Sequence, residues 1–266
     1  MSAGYSNKLV KNMLVNKDNK RKSFIVYITG GFPDLKTTKK LILGLDKAGV
    51  DVIEIGVPFS DPVADGPTIQ ESSFYALQKG VTLKKILKMT KELRGEINAA
   101  VVLMGYYNSF LKYGLSKFVT GCKNNGIDGI IIPDLVPEES CTLSKLAKEN
   151  GLAMVFLIAP NSSEKRIRLA ASRSSGFLYC VSVKGITGQR KKLPDISKYI
   201  SKVRKITKLP LAVGFGVSNN AQAGHFLKKA DGVIVGSAVI KIIKDNIKNK
   251  PVEKVVRFVK SLRKGF

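Results

Sequence analysis

Residues 50–56 read VDVIEIG: four β-branched residues in a nearly apolar run that closes on glycine. A strand with one wet face would alternate apolar and polar positions, whereas a strand covered on both faces reads as a continuous β-branched run. Seven further runs share this character: SFIVYIT (23–29), AAVVLMG (99–105), DGIIIPD (128–134), LAMVFLI (152–158), GFLYCVS (176–182), LPLAVGF (209–215) and DGVIVGS (231–237). Longer stretches with apolar residues every three to four positions lie between them. In LKKILKMTKEL (83–93), Leu83, Ile86, Leu87, Thr90 and Leu93 share one face and lysines fill the other. Residues 36–48, 115–125, 138–150, 164–173, 195–207, 219–229, 237–246 and 251–263 read the same way. Eight β-α units in 266 residues predict an α/β chain folded as one (β/α)8 TIM barrel over 1–266. A doubly wound open sheet is the alternative, but this many parallel repeats at this length favours closure. MSAGYSNKLVKNMLVNKDNKRKSF (1–24) predicts an extra, basic N-terminal helix before the first strand.

Composition narrows the function classes. No stretch has the roughly 18 apolar residues a membrane helix needs, and the N-terminus lacks the apolar run of a secretory signal. The three cysteines, Cys122, Cys141 and Cys180, form no CxxC pair. They imply reduced thiols in a soluble protein of a reducing compartment, the cytoplasm or a plastid stroma. The single histidine, His225, rules out a zinc site built on several histidines and reads as a helix-surface or packing residue. The net charge of +25, 45 Lys+Arg against 20 Asp+Glu, would attract anionic polymers. The lysines are spread over nearly every helix, however, and aromatics do not interleave with them. The expectation is therefore no nucleic acid and no membrane.

Chemistry concentrates after the second strand, where barrels of this kind carry their sites. Residues 51–70 read DVIEIGVPFSDPVADGPTIQ. Glu54 lies inside the apolar strand, where a carboxylate is expensive to bury. Val52, Glu54 and Gly56 share one face, so Glu54 can point into the barrel mouth. The segment after it has three prolines and two aspartates, Asp61 and Asp65, unlike a plain connector. By themselves these residues also fit a structural buried acid followed by turn residues. Gly216 after strand seven and Gly236-Ser237 after strand eight suit a phosphate, because glycine admits the anion close to the backbone and a helix start offers free N–H groups.

The string EIGVPFSDPVADGPTIQ (54–70) resembles the second strand and loop of the tryptophan synthase α chain family. YITGGFPD (27–34), MGYYN (104–108), IIPDLVPEES (131–140), GITG (185–188), VGFGVS (213–218) and DGVIVGSA (231–238) resemble that family in the same order and spacing. The resemblance implies retro-aldol cleavage of indole-3-glycerol phosphate to indole and glyceraldehyde 3-phosphate, with no cofactor and no metal. It implies Glu54 as the general acid/base and Asp65 as the carboxylate that stabilises charge at the indole N–H. Glu54 should be raised in pKa by its apolar setting, and Asp65 should be more solvated and ionised. Tyr179 maps to an active-site tyrosine near Asp65, and Thr187 to a loop residue that bonds Asp65 on closure. Gly188, Gly216, Gly236 and Ser237 would hold the phosphate. Tyr27, Met104, Phe215 and Ile234 would line the indole pocket, though barrel packing alone also explains them. The family further implies an α2β2 heterotetramer with a β chain, contacted through Pro58, Asp61 and the region of Asn108. Val183, Lys184 and Val136 depart from common family patterns, as does the high basic charge. A lyase acting without a β chain, or another phosphate-binding barrel, remains open. A Schiff-base aldolase fits less well, because no strand places a lysine inside the barrel.

Overall fold

The computed structural model describes residues 6–181, 195–214 and 216–266. Its strands are β1 (Ser23–Thr29), β2 (Val52–Gly56), β3 (Ala100–Met104), β4 (Gly129–Ile131), β5 (Ala153–Val155), β6 (Leu157–Ile158), β7 (Leu178–Val181), β8 (Leu211–Gly214) and β9 (Gly232–Val235). All the pairings are parallel, in the order β5-β4-β3-β2-β1-β9-β8-β7-β6. The two ends of that order, β5 and β6, are consecutive in the chain and separated only by Phe156. There the run expected over 152–158 changes partners. Residues 153–155 pair with β4, and 157–158 pair with β7. The Phe156 N–H donates to Ser174 Oγ (3.1 Å), and its carbonyl accepts from the Tyr179 N–H (3.1 Å). The sheet closes through this one residue, so the eight-stranded barrel expected from the sequence appears as nine hydrogen-bonded segments.

The helices are α1 (Lys8–Asp18), α2 (Leu35–Lys47), α3 (Pro67–Gln78), α4 (Leu83–Lys91), α5 (Tyr107–Tyr113), α6 (Leu115–Asn124), α7 (Cys141–Glu149), α8 (Glu164–Arg173), α9 (Ser197–Ile206), α10 (Asn220–Leu227), α11 (Ser237–Asp245) and α12 (Pro251–Leu262). Three of them differ from the sequence expectation. The proline-rich segment after β2 becomes helical at Pro67, which occupies the first turn where its missing N–H costs nothing. MGYYN leads directly into α5. The stretch expected as a helix over 138–150 starts as a short 3-10 turn, Pro137–Glu139, before α7.

Two apolar layers result. Outward-facing strand residues such as Phe24, Val26, Ile28 and Ile53 pack on the helices. Inward-facing Ile25, Val52, Ala100, Val102, Ile131, Ala153, Val155, Ala212 and Ile234 fill the barrel interior, and Leu9 and Met13 of α1 join them. The extra helix is thus a plug under the barrel's N-terminal end. Its polar face ties it there. Asn7 Nδ2 donates to the carbonyls of Asp128 (2.7 Å) and Gly151 (2.8 Å), and Asn12 Nδ2 to those of Asp51 and Asn98 (3.3 Å each). Leu9 nests over two glycines. A Cβ at Gly129 would come within 2.8 Å of Leu9 Cδ2, and one at Gly176, whose φ is +91°, within 3.0 Å of Cγ.

A repeated device pins the strand beginnings. Asp51, Asp128 and Asp231, each just before a strand, accept a backbone N–H from the neighbouring strand, at Phe24, Val101 and Leu211 respectively, all at 2.8 Å. The N-terminal end is therefore built for stability, and the opposite end is left for chemistry. Leu9→Ala leaves a cavity under the barrel and is expected to cost about 2–5 kcal/mol in urea unfolding. Indole release per folded molecule should be unchanged, because Leu9 lies at the end remote from the mouth.

Candidate active site

Register places the functional side chains. Tyr27 of β1 lies opposite Glu54 of β2, and Glu54 opposite Val102 of β3. Glu54 shares the inward face of Val52, so its carboxyl group rests directly on the apolar interior. It is 1% exposed, and its Oε2 has no hydrogen-bond partner among the described residues. Burial, with the Asp65 charge adding to it, pushes the Glu54 carboxyl up to about 8.

Asp65 is more exposed than Glu54 but still half-buried, and burial pushes its carboxyl up to about 6 against the opposing pull of a hydrogen bond from Tyr106. The cause is the fold of its loop. The Tyr106 hydroxyl donates to Asp65 Oδ2 (3.0 Å) and accepts from the Ala64 N–H (2.9 Å), and its ring stacks on Phe59 at 5.0 Å. Gln70 Nε2 donates to the Asp65 carbonyl (2.9 Å), and Ser73 Oγ brackets the Phe59 backbone at 2.9 and 3.1 Å. The two carboxyl groups are thus set apart. Near pH 7 Glu54 is largely protonated and Asp65 largely ionised, the split an acid–base pair requires.

Tyr106 was quoted within MGYYN but not singled out. Only its position just past β3, at the mouth, could have marked it. Tyr179 is carried by β7. Burial pushes its hydroxyl well above the usual range, and the charges of Glu54 and Asp65 push it the same way. Tyr27 behaves alike, with Asp65 its principal charged neighbour. Met104 and Tyr179 pack against the upper edge of the barrel interior, and Ile234 belongs to that interior. Glycine is obligatory at two places around these rings. A Cβ at Gly56 would fall 2.0 Å from the Tyr27 hydroxyl oxygen, and one at Gly214 would fall 2.5 Å from the Tyr179 ring.

At the mouth, Gly236 precedes α11 and no side chain caps that helix. Its first N–H groups are therefore offered to the mouth. The neighbouring α10 has its start capped by Asn219. Ser237 and Gly216 are half-buried at the same end. Thr187, Gly188, Phe215, Val183 and Lys184 lie outside the described residues. Of the expected partner contacts, Pro58 is buried within the chain, whereas Asp61 and Asn108 face solvent. His225 is exposed on α10 with its ring edge on Phe226. Among the described residues no three His, Cys, Asp or Glu side chains group to hold a metal ion, and no helix is long and apolar enough to cross a membrane.

The geometry defines an acid–base enzyme of the (β/α)8-barrel class, with two carboxyl groups of unequal acidity at its mouth. The model of the family "Tryptophan synthase alpha chain" matches residues 13–265. The tryptophan synthase alpha chain of Petrotoga mobilis is 48% identical over 245 residues, covering 91% of this chain and 95% of that one. That of Thermoanaerobacter is 43% identical over 259 residues, covering 97% and 98%. The crystal structure of tryptophan synthase subunit alpha from Legionella pneumophila superposes with a TM-score of 0.90 at 34% identity, covering 97% of both chains. The chain belongs to the tryptophan synthase α chain family. It is the lyase that cleaves indole-3-glycerol phosphate to indole and glyceraldehyde 3-phosphate in tryptophan biosynthesis.

The raised Glu54 carboxyl has a consequence for stability. The folded state holds a proton that the unfolded chain releases at the ordinary glutamate value of 4.5, so this group's contribution falls as pH rises from about 4.5 to about 8. Glu54→Gln removes that penalty. Its melting temperature relative to the parent should rise more at pH 8.5 than at pH 5; an equal shift at both would place Glu54 in a polar, unperturbed setting.

Proposed function

We propose that Glu54 is the group that moves protons and Asp65 the group that stabilises charge in this cleavage. The observation that carries the reading is the unpartnered Glu54 Oε2, buried on an apolar floor at the mouth near Asp65. Protonated Glu54 delivers its proton to indole C3. Positive charge then spreads to the indole nitrogen, where ionised Asp65 holds the N–H. The resulting Glu54 carboxylate takes the C3′ hydroxyl proton. The C3–C3′ bond breaks with its electron pair returning to the ring, indole regains aromaticity, and the hydroxyl carbon becomes the aldehyde of glyceraldehyde 3-phosphate. Glu54 ends as it began, so no external acid or base is consumed.

The remaining residues bind and orient. The free start of α11 at Gly236 and Ser237, with Gly216 and Gly188, receives the phosphate. Tyr27, Met104, Tyr179, Phe215 and Ile234 enclose the indole, and Thr187 bonds Asp65 as the site closes. The whole chain, 1–266, acts as one barrel domain in a reducing compartment, in keeping with unpaired Cys122, Cys141 and Cys180. Its partner is a tryptophan synthase β chain in an α2β2 assembly. Exposed Asp61 and Asn108 lie on the segments that carry three solvent-facing apolar residues, Val63 (81% exposed), Phe74 and Leu111, which such a partner would cover. Pro58 is buried within the loop that carries Asp61.

Glu54→Gln should abolish indole release with substrate binding retained, and Asp65→Asn should lower kcat by about a hundredfold or more. Near-normal turnover in Glu54→Gln would sink the assignment. Gly216→Val should raise KM with little change in kcat. Mixing the chain with a β chain should raise its lyase rate; equal rates with and without it would point to an enzyme that works alone.

A further inference from the structure

A tyrosine stands where a helix start favours a small polar residue. Tyr106 is the N-cap of α5, a position that suits Ser, Thr, Asp or Asn, because a short side chain there accepts a backbone N–H of the first turn. The Tyr106 side chain makes no such bond, and the residue is 4% exposed. It turns instead to the loop after β2 and holds it at three points. The ring stacks on Phe59 at 5.0 Å, the hydroxyl oxygen accepts the Ala64 N–H at 2.9 Å, and the hydroxyl donates to Asp65 Oδ2 at 3.0 Å. The partners settle the direction of that last bond. The Ala64 N–H can only donate and an ionised carboxylate can only accept, so the one phenol proton lies on the Asp65 side.

The capping that Tyr106 gives up comes from the neighbouring barrel unit. Asp134, three residues past β4, accepts the Tyr107 N–H, the first of α5, at 2.9 Å from Oδ1 and 3.2 Å from Oδ2. A carboxylate at a helix start is favoured by the free N–H groups and by the helix dipole. On the other side of Tyr106, the Gly105 N–H donates to the Ile131 carbonyl at 3.1 Å, continuing the β3–β4 ladder. Backbone on both sides of Tyr106 is thus tied to the end of β4, at Gly105 by the ladder and at Tyr107 by Asp134. We propose that Asp134 is a positioning residue for the second carboxylate: by capping α5 in place of Tyr106 it leaves that side chain free for the loop and fixes the backbone from which the phenol reaches Asp65. The proposal rests on the role assigned above to Asp65. Asp134 is itself exposed and acts only through Tyr106.

The test is kcat and KM for indole release by the full chain, across pH, in Tyr106→Phe, Asp134→Ala, Asp134→Asn and the double variant Tyr106→Phe/Asp134→Ala. The titratable groups around Asp65 are Glu54 from β2, Tyr27 from β1, Tyr179 from β7 and Tyr106 from the end of β3, with Asp134 on the far side of Tyr106. Ionised Asp65 governs the acid limb of the profile and protonated Glu54 the alkaline limb. Tyr106→Phe keeps the ring and removes the donor, so the acid limb should move to higher pH by about half a unit or more while the alkaline limb stays in place. At neutral pH kcat should fall about tenfold or more, with KM within about twofold of the parent. Asp134→Ala should act in the same directions by less. Asp134→Asn, whose amide oxygen still accepts the Tyr107 N–H, should return both readings to the parent. In the double variant the loss should equal that of Tyr106→Phe alone, because Asp134 acts through the hydroxyl already removed. Additive losses, an unmoved acid limb in Tyr106→Phe, or an Asp134→Asn as impaired as Asp134→Ala overturns the proposal. Asp134→Ser, whose shorter side chain withdraws the acceptor, takes the place of Asp134→Ala if that variant does not fold. Asp65→Asn run in parallel separates the two readings. If it is inactive and the Tyr106→Phe acid limb is unmoved, only the positioning fails. If it turns over normally, the role of Asp65 fails first.

Discussion

One carboxyl group laid on a dry apolar floor is the constraint from which the rest of this structure follows. Removal from water is the main cause that pushes the Glu54 carboxyl up to about 8, and the Asp65 charge adds to it. The floor must therefore be complete beneath it. Ile25, Val52, Ala100, Val102, Ile131, Val155 and Ile234 provide it from strands all around the barrel, and Leu9 and Met13 seal it from below. A helix added before the first strand closes that interior from below, at the end remote from the mouth.

The two ends of the barrel solve opposite problems. At the N-terminal end most of the described strand beginnings are answered. Aspartates accept N–H groups from neighbouring strands, and the asparagines of α1 donate to carbonyls just ahead of β2, β3, β4 and β5. At the C-terminal end groups are left open: the Glu54 Oε2 and the uncapped start of α11. Such groups cost stability, which the tight packing below them offsets. The contrast explains how one fold is both rigid and reactive. Its strands hold Glu54, Tyr27 and Tyr179 in fixed register, while Asp65 comes from a loop whose position depends on Tyr106, Gln70 and Ser73. The first carboxylate is thus carried by a strand and the second by a loop held through side-chain hydrogen bonds.

Much of this was readable in the chain itself. Continuous β-branched runs announced strands buried on both faces, and their number and spacing announced a closed barrel, because apolar periodicity is a local property of sequence. The charge inside VDVIEIG marked Glu54 for the same reason: an acid among β-branched residues is costly wherever the strand goes. Helix α8 has the boundaries read from the sequence, since Ser163 caps its first turn. What was missed had non-local causes. The change of partners at Phe156 depends on the geometry of closure. The helix beginning at Pro67 was hidden within a segment whose prolines suggested loop throughout, and α5 was hidden within a motif read for its chemistry.

The sequence by itself determined the barrel, the family, the two carboxylates and the glycine-bearing strand ends, because each is written in residue type and order. Only the tertiary structure decided how acidic those carboxylates are. Asp65 looks like a solvated loop acid until Tyr106, forty-one positions along, closes over it. Burial and hydrogen bonding between distant segments set proton affinity, and no local pattern encodes which distant segments will meet.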